Sequence, residues 1–164
     1  MNNKICLIGF MGCGKSTLGK LLSNVLDKAY VDLDEYIEAE NNSLIAEIFS
    51  SYGEQYFRQL ENEALKNVLK SEVDIIATGG GIISVEENIE LLKECNTFYL
   101  EHDFDTLYNR ISGDSLRPLV TSYVELKERY ESRIDSYKTS CKHIINCEGK
   151  TVQDIVQEVI KGIE

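Results

Sequence analysis

Short apolar runs alternate with longer amphipathic segments along the chain, and this alternation is the main structural signal in the sequence. Five of the apolar runs have the length and composition of β-strands. The predicted strands are Lys4–Ile8, Ala29–Asp32, Val73–Ala77, Thr97–Leu100 and Lys142–Asn146. Short, mostly apolar runs of this kind are typical of strands covered on both faces of a parallel sheet.

The longer segments have helical periodicity. After the first strand, Leu18, Leu21, Leu22 and Val25 recur at i, i+3, i+4 and i+7 and form one apolar stripe. Helices are predicted at Lys15–Leu26, Asp34–Glu40, Leu44–Ser51, Glu54–Lys70, Ser84–Lys93, Asp105–Ile111, Tyr123–Tyr137 and from Thr151 onwards. The predicted fold class is therefore α/β, a three-layer doubly wound five-stranded parallel sheet with helices on both faces.

Two of these helices begin with a capping-box pattern, in which a hydroxyl residue precedes an acidic residue by three positions. Ser84 and Glu87 form the first pattern, and Thr151 and Asp154 form the second. The sequence therefore predicts Ser84 and Thr151 as the helix caps.

The composition is that of one ordinary globular domain, with 43% apolar residues, 27% charged residues and one proline. No repeat or proline-rich linker divides the chain, so we expect residues 1–164 to form a single domain. The N-terminal apolar stretch leads straight into a glycine-rich motif and does not resemble a secretory signal. Because no apolar run approaches the roughly 20 residues of a membrane span, we expect a cytoplasmic protein with no membrane partner.

The net charge of −11 argues against nucleic acid as a partner, because the phosphate backbone would be repelled. Anionic small ligands would have to be held by a few well-placed cations. The arginines are Arg58, Arg110, Arg117, Arg129 and Arg133. The five cysteines and two histidines lack zinc-ligand spacing, so reduced thiols are expected. Nothing in the sequence requires more than a monomer.

A phosphate-binding motif follows the first predicted strand. Residues Gly9 to Ser16 match G-x-x-x-x-G-K-S and lead into an amphipathic helix. Its glycines let the backbone approach a phosphate closely, and the exposed N–H groups and helix N-terminus attract the anion. Lys15 would reach the β- and γ-phosphates, and Ser16 would ligate Mg²⁺. The motif predicts nucleoside triphosphate binding but does not identify the acceptor.

Cys13 lies inside this motif, near Lys15 and a helix N-terminus, and both favour a thiolate. One interpretation is a reactive thiol whose alkylation blocks ATP binding, a prediction that protection by ATP would test. The other interpretation is an inert small residue.

Two carboxylates follow the second predicted strand. Alternation in an extended segment places Asp32 and Asp34 on one side, at the edge of the sheet where ligands of α/β proteins bind. Phosphoryl transfer needs one carboxylate near the metal and one near the acceptor hydroxyl. The pattern is weak alone, because Asp34 is also a candidate cap of the following helix.

Three further segments are compatible with either a structural or a binding role. Arg58 precedes Glu61 by three residues on a long predicted helix, a spacing that usually gives a surface ion pair of little energy. Gly79–Gly81 follow the third strand and mark backbone that another segment or a ligand approaches closely. The polar segment Ser112–Ser122 is either a surface connection or a mobile lid that carries Arg117.

Taken together, these motifs resemble the shikimate kinase family, P-loop kinases with an adenylate-kinase-like fold. The resemblance is carried by Gly9–Thr17, Asp32 with Asp34, Phe57-Arg58-x-x-Glu61, Thr78–Gly81, Leu116–Leu119 and Arg133-x-x-x-Tyr137. It implies phosphorylation of the 3-hydroxyl of shikimate, with ATP and shikimate as substrates and Mg²⁺ as cofactor, in aromatic amino-acid biosynthesis.

The resemblance also implies roles around the acceptor. Asp34 would contact the ring hydroxyls and act as the base, while Arg58 and Arg133 would bind the carboxylate, a task that suits the planar guanidinium. Gly79, Gly80 and Gly81 would meet the ring through backbone groups. The substrate-binding helical segment would span about residues 33–61.

For the nucleotide, the implied ATP-binding residues are Gly12, Cys13, Gly14, Lys15, Ser16, Thr17, Arg110, Arg117 and Lys150. Arg110 would lie against the adenine, and Arg117 would close over the phosphates on a lid at about residues 112–122. Ser16 and Asp32 would hold the metal. Catalysis would fall to Asp34, Lys15 and Arg117.

The sequence departs from the family pattern after Arg133, where the proline that usually precedes the tyrosine is missing. Arg129, one helical turn away, is therefore an alternative ligand of the carboxylate. The competing functions are another P-loop kinase, such as a gluconate or nucleoside monophosphate kinase, and a nucleotide-binding regulator. The guanine-reading N-K-x-D motif of regulatory GTPases is absent from the sequence.

Overall fold

Residues 3–113 and 122–164 are described by a computed structural model of the chain, and their secondary structure follows the predicted alternation. The strands are β1 (Ile5–Ile8), β2 (Tyr30–Asp32), β3 (Ile75–Ala77), β4 (Asn96–Glu101) and β5 (His143–Asn146). The helices are α1 (Lys15–Leu26), α2 (Leu33–Asn41), α3 (Ile45–Lys70), α4 (Glu86–Glu94), α5 (Phe104–Ser112), α6 (Tyr123–Ser140) and α7 (Val152–Ile163).

The strands form one parallel sheet in the order β2-β3-β1-β4-β5. Leu7 of β1 and Asp32 of β2 both pair with Ala77 of β3, so the carboxyl ends of these three strands meet at one edge. Helices α1 and α7 pack together on one face, and α4 packs with α3 and α6 on the other. The predicted three-layer, doubly wound α/β fold is confirmed.

The sheet changes winding direction between β1 and β3. The chain leaves β1 towards β2 and leaves the neighbouring β3 towards β4, so the two connections run in opposite directions. In open α/β sheets, such a switch point leaves a crevice at the carboxyl ends of the strands, where ligands bind. The two glycine-rich segments follow β1 and β3 and therefore border this crevice.

Buried side chains in the core hold the strands and α6 together. Leu7, Ile75 and Ile76 have no exposed surface, as their apolar character predicts. Tyr137 of α6 is also fully buried and stacks on Tyr99 of β4, with ring centroids 5.0 Å apart. In the two described stretches of chain, no helix is both long and apolar enough to cross a bilayer.

One of the two predicted helix caps is wrong. Ser84 ends a short 3-10 turn (Ile82–Ser84), and Val85 is the N-cap of α4 without a side-chain hydrogen bond. The 3-10 turn displaces the start of the helix by one residue. The second prediction is confirmed, because Thr151 Oγ1 accepts from the Asp154 N–H (3.2 Å) and the Asp154 carboxylate accepts from the Thr151 N–H (2.8 Å).

Two predicted helices, Leu44–Ser51 and Glu54–Lys70, are joined in α3. Gly53 between them has φ 82° and ψ 174°, a conformation outside the helical region that glycine adopts without steric cost. Helix α3 is therefore two helical segments that meet at a kink. The second segment carries Phe57, Arg58 and Glu61.

Candidate functional site

The predicted phosphate loop lies between β1 and α1. Gly12 (φ 80°) and Gly14 (φ 93°) adopt left-handed conformations, which explains the need for glycine at these two positions. Gly14 is the N-cap of α1, so the helix N-terminus faces the loop. Lys15 is 8% exposed, and its Nζ donates to the carbonyls of Gly9 (2.7 Å) and Phe10 (3.2 Å). The loop thus places an ammonium group and a helix N-terminus beside one cavity.

This first cavity, of about 340 Å³, extends from the loop to the end of β2. Its walls include Lys15, Ser16 and Thr17 on one side and Asp32 and Asp34 on the other. Backbone N–H groups, a lysine and a helix N-terminus form an anion-binding arrangement. We call it the phosphate cavity.

Asp32, rather than Asp34, caps α2. Asp32 Oδ1 accepts from the N–H groups of Asp34 (3.0 Å) and Glu35 (3.3 Å), and Oδ2 accepts from the Ser16 hydroxyl (2.5 Å). Asp34 lies in the first turn of the helix. The possibility that Asp34 serves as the cap is therefore wrong, and the two carboxylates have different surroundings.

The hydroxyl of Ser16 and the carboxylate of Asp32 are adjacent oxygen donors beside the phosphate cavity. Mg²⁺ prefers such hard oxygen ligands and usually takes its remaining ligands from water and substrate phosphates. In the described ranges, no three His, Cys, Asp or Glu side chains cluster as they would in an all-protein metal site. The donor set therefore fits a metal ion that is shared with a bound nucleotide.

A second cavity, of about 420 Å³, adjoins the first. Asp34, Met11, Gly79 and Gly80 line both cavities, so Asp34 stands on their common wall. The other polar residues of the second cavity are Glu54, Arg58, Glu61, Arg129 and Arg133. Ile45, Phe49 and Phe57 give it an apolar side. No motif in the sequence marks Ile45 or Phe49 as a cavity residue. We call it the acceptor cavity.

Arg58 is held by two carboxylates of its own helix. It donates to Glu61, whose side chain is 1% exposed, and to Glu54 (3.0 Å). Burial opposes the charge of Arg58, but Glu61 and Glu54 outweigh it and raise the Arg58 pKa. The expectation of a weak surface pair is therefore wrong, because Glu61 lies on the buried side of α3.

The carboxyl group of Glu61 is buried near a cationic side chain, Arg58, and an anionic one, Asp34. Burial raises its pKa, Arg58 opposes that shift, and the negative charge of Asp34 raises the pKa further. Two carboxylates and a guanidinium thus lie within one electrostatic network. The side chain of Glu61 stabilises the position and charge of Arg58.

The glycine run after β3 is explained by close packing of these side chains. A Cβ on Gly79 would lie 2.8 Å from Glu61 Oε1 and 2.9 Å from Asp34 Oδ1. A Cβ on Gly81 would overlap the guanidinium of Arg58. Glycine at these positions leaves the space in which Asp34, Arg58 and Glu61 approach the backbone that lines the cavity.

Arg133 reaches the same cavity from α6. Tyr137, four residues further along, donates to the carbonyl of Gly80 (2.5 Å) and so ties α6 to the glycine run. The Arg133 guanidinium lies over the ring of Phe10, 5.8 Å from its centroid. Burial lowers the Arg133 pKa, and the charges of Arg58 and Arg129 add to that shift. An anion in the cavity would relieve this repulsion between like charges.

A third cavity, of about 300 Å³, lies on the other side of the phosphate loop. Arg110 and Lys150, two of the three predicted nucleotide contacts outside the loop, both line it. Arg110 donates to the Gly12 carbonyl (3.2 Å), and Lys150 pairs with Glu158 (2.6 Å). This cavity shares no lining residue with the acceptor cavity. We call it the base cavity, because the resemblance assigns Arg110 to the adenine.

Cys13 lies in the base cavity wall but is only 4% exposed, and its Sγ is 3.4 Å from Lys15 Nζ. This burial favours the interpretation of an inert residue.

The predicted lid residue Arg117 belongs to residues 114–121, which lie outside the described part of the chain. Most of the predicted lid lies there as well.

Comparisons with known proteins show a similarity to shikimate kinases. The family model described as shikimate kinase matches residues 11–164. The shikimate kinase of Staphylococcus haemolyticus (strain JCSC1435) is 40% identical over 97% of this chain and 93% of its own length. That of Persephonella marina (strain DSM 14350 / EX-H1) is 40% identical over 97% of this chain and 98% of its own length. The solved structure of the Acinetobacter baumannii enzyme in complex with shikimate matches with a TM-score of 0.90 at 29% identity, covering 97% of this chain and 91% of that one.

Proposed function

The chain belongs to the shikimate kinase family, and from that premise we propose that it transfers the γ-phosphoryl group of ATP to the 3-hydroxyl of shikimate, giving shikimate 3-phosphate and ADP. One observation carries the proposal. Asp34 stands on the wall between a phosphate-binding cavity and a cavity that is lined by guanidinium groups. A donor phosphoryl group and an acidic acceptor can therefore meet at this side chain.

The acceptor cavity matches the chemistry of shikimate, a small ring with one carboxylate and several hydroxyls. Arg58 and Arg133 would bind the carboxylate, since a guanidinium donates two parallel hydrogen bonds to a carboxylate. The apolar side chains of Phe49 and Phe57 would cover the ring. Gly79, Gly80 and Gly81 would contact it through their backbone groups.

The nucleotide would lie across the phosphate loop. The N–H groups of the loop, Lys15 and Thr17 would bind its phosphates, and Arg110 and Lys150 would contact its base. Arg117 would complete the site from the lid. The loop geometry and the position of the base cavity support this assignment.

Mg²⁺ would be held by Ser16, and by Asp32 either directly or through water. When bound, it would neutralise charge on the β- and γ-phosphates. The hydrogen bond between the two side chains supports the assignment, because it already brings both oxygens to the phosphate cavity.

The proposed reaction is an in-line displacement. Asp34 would orient the 3-hydroxyl and accept its proton as the oxygen attacks the γ-phosphorus. Lys15 would stabilise the charge that develops on the phosphoryl oxygens. Closure of the lid would exclude water and so limit hydrolysis of ATP. We further propose that the protein acts as a cytoplasmic monomer.

An ADP-release assay with different acceptors tests the proposal. Shikimate, gluconate and nucleoside monophosphates are compared at equal concentration with ATP and Mg²⁺. The proposal predicts rapid ADP release with shikimate, and background rates with the others. Preference for gluconate or a monophosphate would overturn the assignment in favour of another P-loop kinase. Nucleotide binding without turnover of any acceptor would favour a regulator.

A further inference from the structure

His102 is a buried titratable residue to which the proposed reaction gives no role. It follows β4, is 3% exposed and lines the base cavity. Its backbone is fixed as well, because the Tyr130 hydroxyl of α6 donates to the His102 carbonyl (2.7 Å). The imidazole therefore has a defined position beside the phosphate loop.

One ring nitrogen of His102 contacts the phosphate loop itself. Nε2 lies 3.2 Å from the carbonyl oxygen of Cys13. A carbonyl can only accept a hydrogen bond, so Nε2 must carry the proton for this bond to form. Burial lowers the His102 pKa and Arg110 adds to that shift, while the bond to Cys13 and the charge of Glu148 oppose it without reversing it. The net shift favours the neutral ring, which then has a single N–H at Nε2.

The other ring nitrogen, Nδ1, faces Glu148 in the loop after β5, with 3.5 Å between Nδ1 and Oε1. Nδ1 is buried and makes no hydrogen bond within the described parts of the chain. Glu148 is held in place by the Asp103 N–H (2.9 Å) and the Thr106 hydroxyl (3.1 Å) at the start of α5. The ring therefore lies between the phosphate loop and the α5 terminus.

The bond to Cys13 sets the direction of the next amide. The peptide bond between Cys13 and Gly14 is trans, so the carbonyl of Cys13 and the N–H of Gly14 point in opposite directions. Holding the carbonyl towards His102 turns the Gly14 N–H away from the ring. Gly14 lines both the base cavity and the phosphate cavity, and on the phosphate-cavity side its N–H can meet a phosphate oxygen.

We propose that His102 is a positioning residue for nucleotide binding, which fixes the Cys13–Gly14 peptide so that the Gly14 N–H is preorganised for a phosphate. This inference rests on the proposed function, because it assumes a nucleotide on the loop. His102 acts through the loop backbone and lines the base cavity, not the acceptor cavity. Its loss should weaken nucleotide binding and leave acceptor binding unchanged.

A matched set of variants separates the hydrogen bond from the volume of the side chain. His102→Met and His102→Leu remove the donor, and His102→Gln restores an N–H at a similar distance from the backbone. His143→Met is the control, because His143 stacks on Phe98 (4.6 Å) at β5 and lines none of the three cavities. The dissociation constant of MgADP is measured by calorimetry without acceptor, and KM is measured for ATP and for shikimate.

Removing the donor should raise the MgADP dissociation constant and the ATP KM about five- to tenfold, the value of one hydrogen bond. The shikimate KM should not change, and His102→Gln should recover most of the loss. Unchanged MgADP affinity in a folded donor-free variant overturns the inference, as does an equal loss in the Gln variant. A wild-type protein that binds MgADP but does not phosphorylate shikimate would refute the proposed function alone.

Nitrogen NMR of the wild-type protein gives a test that does not depend on whether a variant folds. The ¹⁵N shifts of His102 should show a proton on Nε2 and none on Nδ1 at neutral pH. A proton on Nδ1 with Nε2 bare would exclude the bond to Cys13 and refute the inference.

Discussion

Arg58 donates a hydrogen bond to Glu61, one helical turn further along α3, and the side chain of Glu61 is 1% exposed. Gly79 leaves room for this carboxylate, since a Cβ there would lie 2.8 Å from Glu61 Oε1. The guanidinium is thus paired with a buried carboxylate. This pair forms a fixed wall of the acceptor cavity.

Glu61 and Glu54 both pair with Arg58, so their Gln variants form a matched comparison. Glu61→Gln removes the buried partner and should raise the shikimate KM about tenfold, because a charge-assisted bond that positions Arg58 is replaced by a weaker neutral one. Glu54→Gln should have little effect, because the Glu54 side chain is 64% exposed. Steady-state kinetics at saturating ATP would measure both. Equal effects of the two substitutions would contradict this account of Arg58.

The buried carboxyl of Glu61 also predicts a pH dependence of stability. Burial raises its pKa above the ordinary 4.5, so the folded protein binds this proton more tightly than the unfolded chain does. The contribution of Glu61 to the free energy of unfolding is therefore largest below the unfolded pKa and is lost as the pH rises through the folded pKa.

The measurement is urea unfolding of the wild type and of Glu61→Gln from about pH 4 to about pH 8. The difference in unfolding free energy, wild type minus variant, should fall as the pH rises. A difference that stays constant or increases would show that the Glu61 pKa is not raised in the folded protein.

Arg133 and Arg129 both line the acceptor cavity, but Arg133 is half-buried and Arg129 is exposed. Arg133→Ala should raise the shikimate KM about ten- to a hundredfold, the range expected for a hydrogen bond to a charged group. Arg129→Ala should change it little, because an exposed cation is screened by solvent. Neither substitution should alter the ATP KM. The reverse order of the two effects would assign the carboxylate to Arg129.

The sequence predicted the parts of this molecule that depend on local pattern. The five strands and the phosphate loop have distinctive residue spacing, and the structure has them at nearly the predicted positions. Asp32 and Asp34 both line the phosphate cavity, as their position at the edge of a parallel sheet predicted. The argument from alternation along a strand was wrong, because β2 ends at Asp32 and Asp34 lies in the first turn of α2.

What the sequence could not supply was the burial of individual side chains. An Arg–Glu pair at i,i+3 is the same in sequence whether it faces solvent or the interior, so Glu61 was expected at the surface. His102 had no motif around it, because its partner is a backbone carbonyl 89 positions away in the chain. Ser84 had the right pattern for a cap, but the 3-10 turn that displaces it depends on the packing of the loop after β3.

The position of Asp34 between the phosphate and acceptor cavities is tested most directly by Asp34→Asn. Asparagine keeps the shape of the side chain but cannot accept the proton of the attacking hydroxyl, so turnover should fall about a hundredfold or more. The affinity for MgADP should stay close to that of the wild type, because Asp34 is not assigned to the nucleotide. Glu35→Gln is the control in the same helical turn, where the Glu35 side chain is 67% exposed.

The decisive measurement is therefore kcat for shikimate phosphorylation in Asp34→Asn, with MgADP affinity determined on the same preparation. The account predicts a large loss of kcat with nucleotide binding intact and with normal turnover in Glu35→Gln. Wild-type turnover in Asp34→Asn would contradict it.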